Sequence, residues 1–457
     1  MFIESYGDEI SRIFTLEKIQ NHRLRPLFDL HLIWVTLKKF FLPVGYPFSV
    51  SDDYLEYQIW DTIQAFASSI TGTLASQAVL IGVGVGNSSA TVLSASLTWM
   101  FKDGSGMIGR ILFAGYHGSK LDCDCKFWRF IADILNDCAL FLELISPLCQ
   151  YLFIPLICLA NLLKSLVGVA GSATRAAIVQ HQAINNNLAD VSAKDGSQET
   201  LSNLMAWLLN FILLYLVTGN QFLIWLCFGC CTSVHLYCNY RAVQCLQLHT
   251  FNRTRFHLAI QLWFEQFTIH MSNNHHDNTD HYMMHHQTLT FPTVTLINQY
   301  EPILCRTNQP LIQLGCSLYH LPMEGQKLLP TLICVCEKNN YILYCSNWEA
   351  VQQGNTNVPL TMYIILFSDS KPLDQLKAMF HVELITFIVK YPLKTASTQK
   401  IFQNIIEAKN YIEFLQSTLT LLDQLWNPLM NSLKLNQQWN LNTFQFAADI
   451  WRLNRKQ

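Results

Sequence analysis

The chain has 457 residues, of which 51% are apolar and only 14% charged, with a mean hydropathy of +0.19. Soluble domains carry about a quarter charged residues, so the composition is unusual for a water-soluble fold, and it excludes disorder over most of the length. The 30 Lys and Arg against 32 Asp and Glu leave a formal net charge of -2, which excludes nucleic-acid binding driven by bulk charge.

This length predicts two or three domains. The 15 cysteines form an odd set without repeating spacing, which predicts reduced thiols in an intracellular setting. The first 14 residues contain Glu4, Asp8 and Glu9 and lack an apolar or Arg-rich targeting pattern, so no export signal is expected there. Residues 1–41 predict one or two amphipathic N-terminal helices, ended by Pro43, Gly45 and Pro47.

From about Tyr54 to Tyr240 charges thin out and apolar blocks lengthen. Residues 148–163, 204–217 and 222–238 are the strongest candidates for membrane spans, and each can be extended through Ser, Cys, Thr and Asn flanks to spanning length. Thr218, Gly219, Asn220 and Gln221 separate the last two, predicting a tight helical hairpin. Arg175 and Lys194 before it, with Arg241, Arg253 and Arg255 after it, predict that both outer ends face the cytosol or its equivalent. Two helices precede these spans. Small residues at every fourth position (Gly82, Gly86, Ala90, Ser94; Ser68, Gly72, Ser76; Gly168, Ser172, Ala176) predict close helix packing.

A His- and Asn-rich stretch around residues 270–286 marks a linker, taken as residues 256–289. Beyond it, residues 290–457 predict a small α+β domain. Residues 331–336 and 341–346 read as a strand pair, 360–367 as another strand, and 372–391 and 401–422 as helices. The fold class expected is mostly α, a multipass helical membrane bundle over residues 42–255 followed by that domain.

Three polar constellations could carry chemistry. Asp103, Gly104, Ser105 and Gly106, with Arg110, predict a turn that either joins helices or binds an anion through its N–H groups. Arg129, Asp133 and Asp137 share one helix face at i, i+4, i+8; they form either a salt-bridge ladder or, inside a membrane, an ion path or substrate pocket. The richest segment, residues 164–200, holds Arg175, His181, Gln182, Asp190, Lys194, Asp195 and Glu199 between two apolar helices. Arg175 and Lys194 could hold a carboxylate or phosphate there, and His181 could transfer a proton; a solvated loop is the plain alternative. Cys227, Cys230 and Cys231 read as packed thiols. Neither Cys123 with Cys125 nor the linker histidines fix a metal geometry.

At these segments the chain resembles the root UVB-sensitive (RUS) family. The resemblance is carried by Leu42-Pro43-Val44-Gly45-Tyr46-Pro47, Tyr54-Leu55-Glu56-Tyr57-Gln58-Ile59-Trp60-Asp61, Asp103-Gly104-Ser105-Gly106-Met107, Gly118-Ser119-Lys120-Leu121-Asp122, Ala132-Asp133-Ile134-Leu135-Asn136-Asp137, and above all residues 164–183 and 189–200. Ser172 replaces an expected glycine, and Asn185 and Asn186 replace residues that tend to be basic. The resemblance implies a multipass protein of an intracellular organelle membrane, embedded in a lipid bilayer and working with a paralogue or a second copy. It implies no established reaction, and it names no cofactor.

The expected function is therefore non-enzymatic: binding or moving a small metabolite, with Arg175, His181, Gln182, Asp190, Lys194, Asp195, Asp133 and Asp137 at the polar site. An adaptor that recruits a protein through the C-terminal domain is the second reading. An enzyme pairing His181 with Asp190 or Asp195 is the third.

Overall fold

The computed structural model describes residues 2–6, 9–14, 30–85, 91–273, 290–304, 310–352, 360–390, 402, 405 and 407–454. It contains two units, Met1–Leu246 and Gln247–Gln457.

The first unit begins with a finding contrary to expectation. Phe2–Tyr6 (β1) and Glu9–Phe14 (β2) pair as antiparallel strands where amphipathic helix was predicted. Two runs rich in Phe, Ile and Tyr, separated by the turn-forming pair Gly7 and Asp8, suit a hairpin better than a helix. One predicted N-terminal helix is present, Leu30–Phe41 (α1); residues 15–29 lie outside the described set.

Six long helices follow: Tyr54–Val83 (α2), Val92–His117 (α3), Cys125–Ile145 (α4), Phe153–Gln182 (α5), Leu188–Val217 (α6) and Gln221–Cys245 (α7). α2 lies at the centre, packed along α7, α6 and α4, while α5 packs against α4 and α3. The predicted hairpin is present between α6 and α7. Gly219 takes φ +88°, which an L side chain resists, and the Asn220 side chain caps α7 by accepting the Leu223 N–H at 3.2 Å.

The segment 103–106 is helix interior, and not the predicted turn. Its glycines serve packing: a Cβ on Gly106 would stand 2.4 Å from Asn161, and one on Gly109 would stand 2.4 Å from Leu162, so both let α3 close on α5. Ser105 Oγ seals the contact by donating to the Cys158 carbonyl across that interface at 3.1 Å. Gly82 likewise faces the Phe153 ring. The predicted strip from Gly82 to Ser94 does not run along one helix, because α2 ends at Val83; Gly86 and Ala90 lie outside the described residues.

Among the described residues four helical segments are long and apolar enough to cross a membrane: Tyr54–Val83, Gln150–Gln182, Leu188–Val217 and Gln221–Cys245. The first was predicted as a helix but not singled out as a span. Residues 200–240 contain no Asp, Glu, Lys or Arg, and their large apolar side chains point outward. Trp207, Phe211, Ile212, Leu216 and Phe222 are all exposed, and Met107, Ile108 and Ile111 of α3 behave in the same way. A water-soluble surface seldom carries so large an apolar area.

In the second unit Thr250–Asn252 (β3) leads into Arg253–Asn273 (α8), then Val294–Tyr300 (α9), Leu311–Leu314 (β4), Met323–Val335 (α10), Tyr341–Ser346 (β5), Trp348–Gln352 (α11), Thr361–Leu366 (β6), Pro372–Lys390 (α12), Tyr411–Asn436 (α13) and Asn440–Gln445 (β7). One sheet has the order β4-β6-β5, with β6 parallel to β4 and antiparallel to β5; β3 pairs with β7. Mostly helical structure with a small sheet component is thus what the chain forms.

Two expectations fail here, and the bounds of a third shift. The proposed linker 256–289 opens with core: Phe256, Ile260, Trp263 and Phe264 of α8 are buried, with Trp263 against Phe380 and Phe264 against Phe380 and Phe387 of α12. Residues 274–289, with most of the histidine cluster, lie outside the described set. Residues 331–336 are the end of a helix, because Gly325, Leu328, Leu332 and Val335 repeat at helical spacing toward the core. The helix expected at 401–422 is Tyr411–Asn436, started by Asn410, which accepts the Glu413 N–H at 3.0 Å, while Glu413 accepts from Lys409 N at 2.9 Å. The strand at 360–367 and the helix at 372–391 are where the pattern puts them. Arg255, counted above among the flanking charges, is buried in this unit and held by Glu301 at 3.0 Å.

Candidate functional site

Polar side chains on α2, α4, α5 and α6 converge on a cavity of about 270 Å³ inside the first unit. α2 contributes Tyr57, Asp61, Gln64 and Ser68, which follow one another at i, i+4, i+7 and i+11 and so form a single polar stripe on a largely apolar helix. α4 contributes Arg129, Asp133 and Asn136, α5 contributes Arg175, and α6 contributes Asp195, Glu199 and Asn203. Four carboxylates and two guanidiniums therefore line one small space.

Each guanidinium is held by acids from another helix. Arg129 donates to Asp61 Oδ1 at 2.7 Å, joining α4 to α2. Arg175 donates through Nε to Asp195 Oδ2 at 2.6 Å and through a terminal nitrogen to Glu199 Oε2 at 2.7 Å. Asp195 and Glu199 reach the same cation because they are one turn apart on α6. Gln58 Nε2 donates to the other oxygen of Asp195 at 3.0 Å. Among the described residues Asp133 forms no salt bridge; Gln64 Nε2 donates to it at 2.8 Å and Asn239 Nδ2 at 2.5 Å. The face shared by Arg129, Asp133 and Asp137 is as predicted, but the ladder along it is not, since Arg129 spends its donor on another helix.

The structure divides the predicted site residues. Arg175, Asp195 and Asp133 meet at the cavity. Asp137 lies one turn beyond Asp133, paired with His235 at 2.8 Å. His181 pairs with Asp53 at 2.9 Å. Gln182 is fully buried, and its carbonyl accepts from Ser51 N at 3.1 Å. Asp190 accepts from Val44 N at 2.7 Å and Lys194 donates to the Lys39 carbonyl at 2.6 Å, so together they fasten the end of α1 and the segment after it to α6. Residues 164–200 are not a loop: α5 runs to Gln182 and α6 begins at Leu188, which places Ser192, Asp195 and Gln198 inside α6. Asp103 and Arg110 are exposed on α3, and the N–H groups around Gly104 and Gly106 belong to that helix, which removes the anion-binding turn. Among the described residues no three His, Cys, Asp or Glu side chains gather as metal ligands.

Sequence reasoning missed Tyr57, Asp61, Gln64, His235 and Asn239, and left Arg129 and Glu199 out of the site. The signal existed: a polar stripe at helical spacing on α2, and His235 with Asn239 one turn apart on otherwise apolar α7.

Comparison with known proteins gives a consistent answer. Residues 29–266 match a family described as "Vitamin B6 photo-protection and homoeostasis domain", and residues 290–455 match "Root UVB sensitive protein, C-terminal". The chain is 43% identical to RUS family member 1 of Dictyostelium discoideum over 331 residues, covering 71% of this chain and 57% of that protein. It is 37% identical to root UVB sensitive 3 of Arabidopsis thaliana over 368 residues, covering 78% and 77%. It is 38% identical to the chloroplastic root UVB sensitive 2 of the same plant over 167 residues, covering 36% and 38%. The chain thus spans little more than half of the Dictyostelium relative. No solved structure matches it. With two family models matched in order over most of its length, the chain belongs to the root UVB-sensitive family.

Proposed function

We propose that the chain is an integral protein of an intracellular organelle membrane whose helical bundle binds a small, polar, hydroxyl-bearing metabolite of the vitamin B6 class, in order to hold or move it across the bilayer. One observation carries this reading: a cavity lined by four carboxylates and two guanidiniums lies inside a bundle whose outward faces are apolar. Charges in such a setting are costly and mark a path or a pocket.

Size and charge narrow the ligand. At about 270 Å³ the cavity is at the lower end of the range for small-molecule sites. Both guanidiniums are already engaged, and four carboxylates face them. A multiply charged phosphate is disfavoured by that surplus of negative charge, whereas hydroxyl and ring N–H donors suit it. Pyridoxine has this chemistry, and the description of the matched N-terminal family names vitamin B6.

The test is equilibrium binding of radiolabelled pyridoxine to the full chain in lipid nanodiscs. Saturable binding that is lost in Asp133→Asn, and that pyridoxal phosphate does not outcompete, is the expected result. Equal retention by wild type, Asp133→Asn and empty nanodiscs would overturn the ligand assignment.

A further inference from the structure

Behind the cavity wall lies a second polar group that the ligand reading does not use. His235 of α7 is fully buried, and its Nδ1 is 2.8 Å from Asp137 Oδ2. Its Nε2 is 2.9 Å from Gln64 Nε2, and that same amide nitrogen donates to Asp133 Oδ2 at 2.8 Å. Gln64 and Asp133 line the cavity, whereas His235 and Asp137 do not. Asp137 Oδ1 is buried and has no hydrogen-bond partner among the described residues. An incompletely satisfied carboxylate beside an imidazole, away from water, gains more from a nearby proton than an exposed one does.

The hydrogen-bond chemistry fixes the protonation state. An amide nitrogen only donates, so Gln64 facing Nε2 requires a neutral ring with its single hydrogen on Nδ1, donated to Asp137. A proton taken from water at Nε2 makes that atom a donor. Gln64 can accept from it only by rotating its amide half a turn to present Oε1. The rotation withdraws an N–H from Asp133, leaves Asn239 as its donor, and opens an acceptor position toward the cavity. A ligand hydroxyl placed there replaces the lost bond.

We propose that His235 and Asp137 form a proton-binding site coupled to the cavity by the Gln64 amide, so that a proton on His235 and a hydroxyl-bearing ligand on Asp133 are taken up together. The coupling rests on the ligand reading above; the proton site does not. The charged groups facing His235 are Asp137, Asp133 and Arg129, all on α4. From α2 comes neutral Gln64, with Asp61 one turn away and held by Arg129. α6 meets α7 through apolar residues such as Leu213 and Leu214 near their shared turn, and its charged residues are confined to its first 12 positions.

The experiment is nitrogen NMR of the full chain in nanodiscs with labelled histidine and glutamine side chains. His235 is identified by difference from His235→Gln, and Gln64 by difference from Gln64→Met. The ring is expected to be the neutral Nδ1–H form at about pH 8 and the imidazolium at about pH 5, with the Gln64 amide signal moving at the same midpoint. Gln64→Glu, which offers a permanent acceptor, shifts that midpoint upward. A ring that keeps one form throughout overturns the proton site; a Gln64 signal that stays still while His235 titrates overturns the relay. Pyridoxine affinity is then measured over the same range. Coupling predicts binding at least about fivefold tighter at the acid end and a flat profile in His235→Gln. Binding that is equally tight at both ends in wild type overturns the coupling. Failure to bind at any pH removes the ligand reading and the coupling with it, and the NMR titrations still decide the proton site.

Discussion

The Arg129 guanidinium lies 2.7 Å from Asp61 on α2, although Asp133 stands one turn away on its own helix. The pair is largely buried and ties two helices of the bundle together at the cavity wall. Breaking a buried ion pair on one side strands a charge and costs about 3–5 kcal/mol, whereas replacing both partners with apolar groups is often close to neutral. Asp61→Leu is therefore expected to lower the melting temperature of the full chain in detergent sharply. The double variant Asp61→Leu with Arg129→Met should recover most of the loss. A double variant no better than the single would place the energy elsewhere.

Two glycines two residues apart on α3, Gly104 and Gly106, make opposite predictions. Gly104 has open space where a Cβ would go, while Gly106 meets Asn161 at 2.4 Å. Because both are helix interior, Gly104→Ala should stabilise by up to about 1 kcal/mol. Gly106→Val should destabilise by about 1–3 kcal/mol through overpacking between α3 and α5. If residues 103–106 were a turn, this order would not hold, and thermal melts of the two variants decide it.

In the second unit His381 is fully buried between Tyr341 Oη at 3.2 Å and Thr418 Oγ1 at 2.9 Å. Burial disfavours its charged form, and the nearby Lys377 adds to the effect, lowering its pKa from 6.5 to about 3. The unfolded chain takes up a proton near the ordinary value, and the folded unit refuses it until near the lowered one. Stability is thus complete above the unfolded pKa and falls with acidification between the two, by roughly 1 kcal/mol per pH unit. Hydrogen exchange of α12 in the full chain, corrected for intrinsic rates, should show faster opening at about pH 5 than at about pH 7. His381→Asn should weaken that dependence.

Asp190 and Lys194 fasten the end of α1 and the segment after it, and do not line the cavity. Asp190→Asn and Lys194→Gln should each cost about 1 kcal/mol or less and leave pyridoxine binding unchanged, whereas Asp133→Asn abolishes it. Loss of binding in either of the first two would move the site to the α5–α6 junction.

Much of this was legible in the sequence. The α6–α7 hairpin is written in Thr218 to Gln221, and Arg175 with Asp195 and Asp133 belongs to the site predicted from the polar segments. What escaped was tertiary. The identity of a partner across helices, such as Asp61 for Arg129 or Asp53 for His181, has no local signature. Polar content between apolar blocks suggested a loop at 164–200 because helix ends and loops share composition, and only the facing of Arg175 toward Asp195 and Glu199 distinguishes them. Gly104 and Gly106 looked like turn residues for the same reason, since a glycine that permits close packing and one that permits a turn are identical in sequence. At 331–336 the β-branched residues favoured a strand, but the spacing of Leu328, Leu332 and Val335 toward the core prevailed.

The central claim is that the charged cavity lies within a membrane-embedded bundle. Alkaline carbonate extraction of membranes from cells producing the full chain tests it most directly. Retention in the pellet, with release only by detergent, is the predicted result. Quantitative release into the supernatant would contradict it, because the apolar faces of α2, α5, α6 and α7 would then have to be covered by protein and not by lipid.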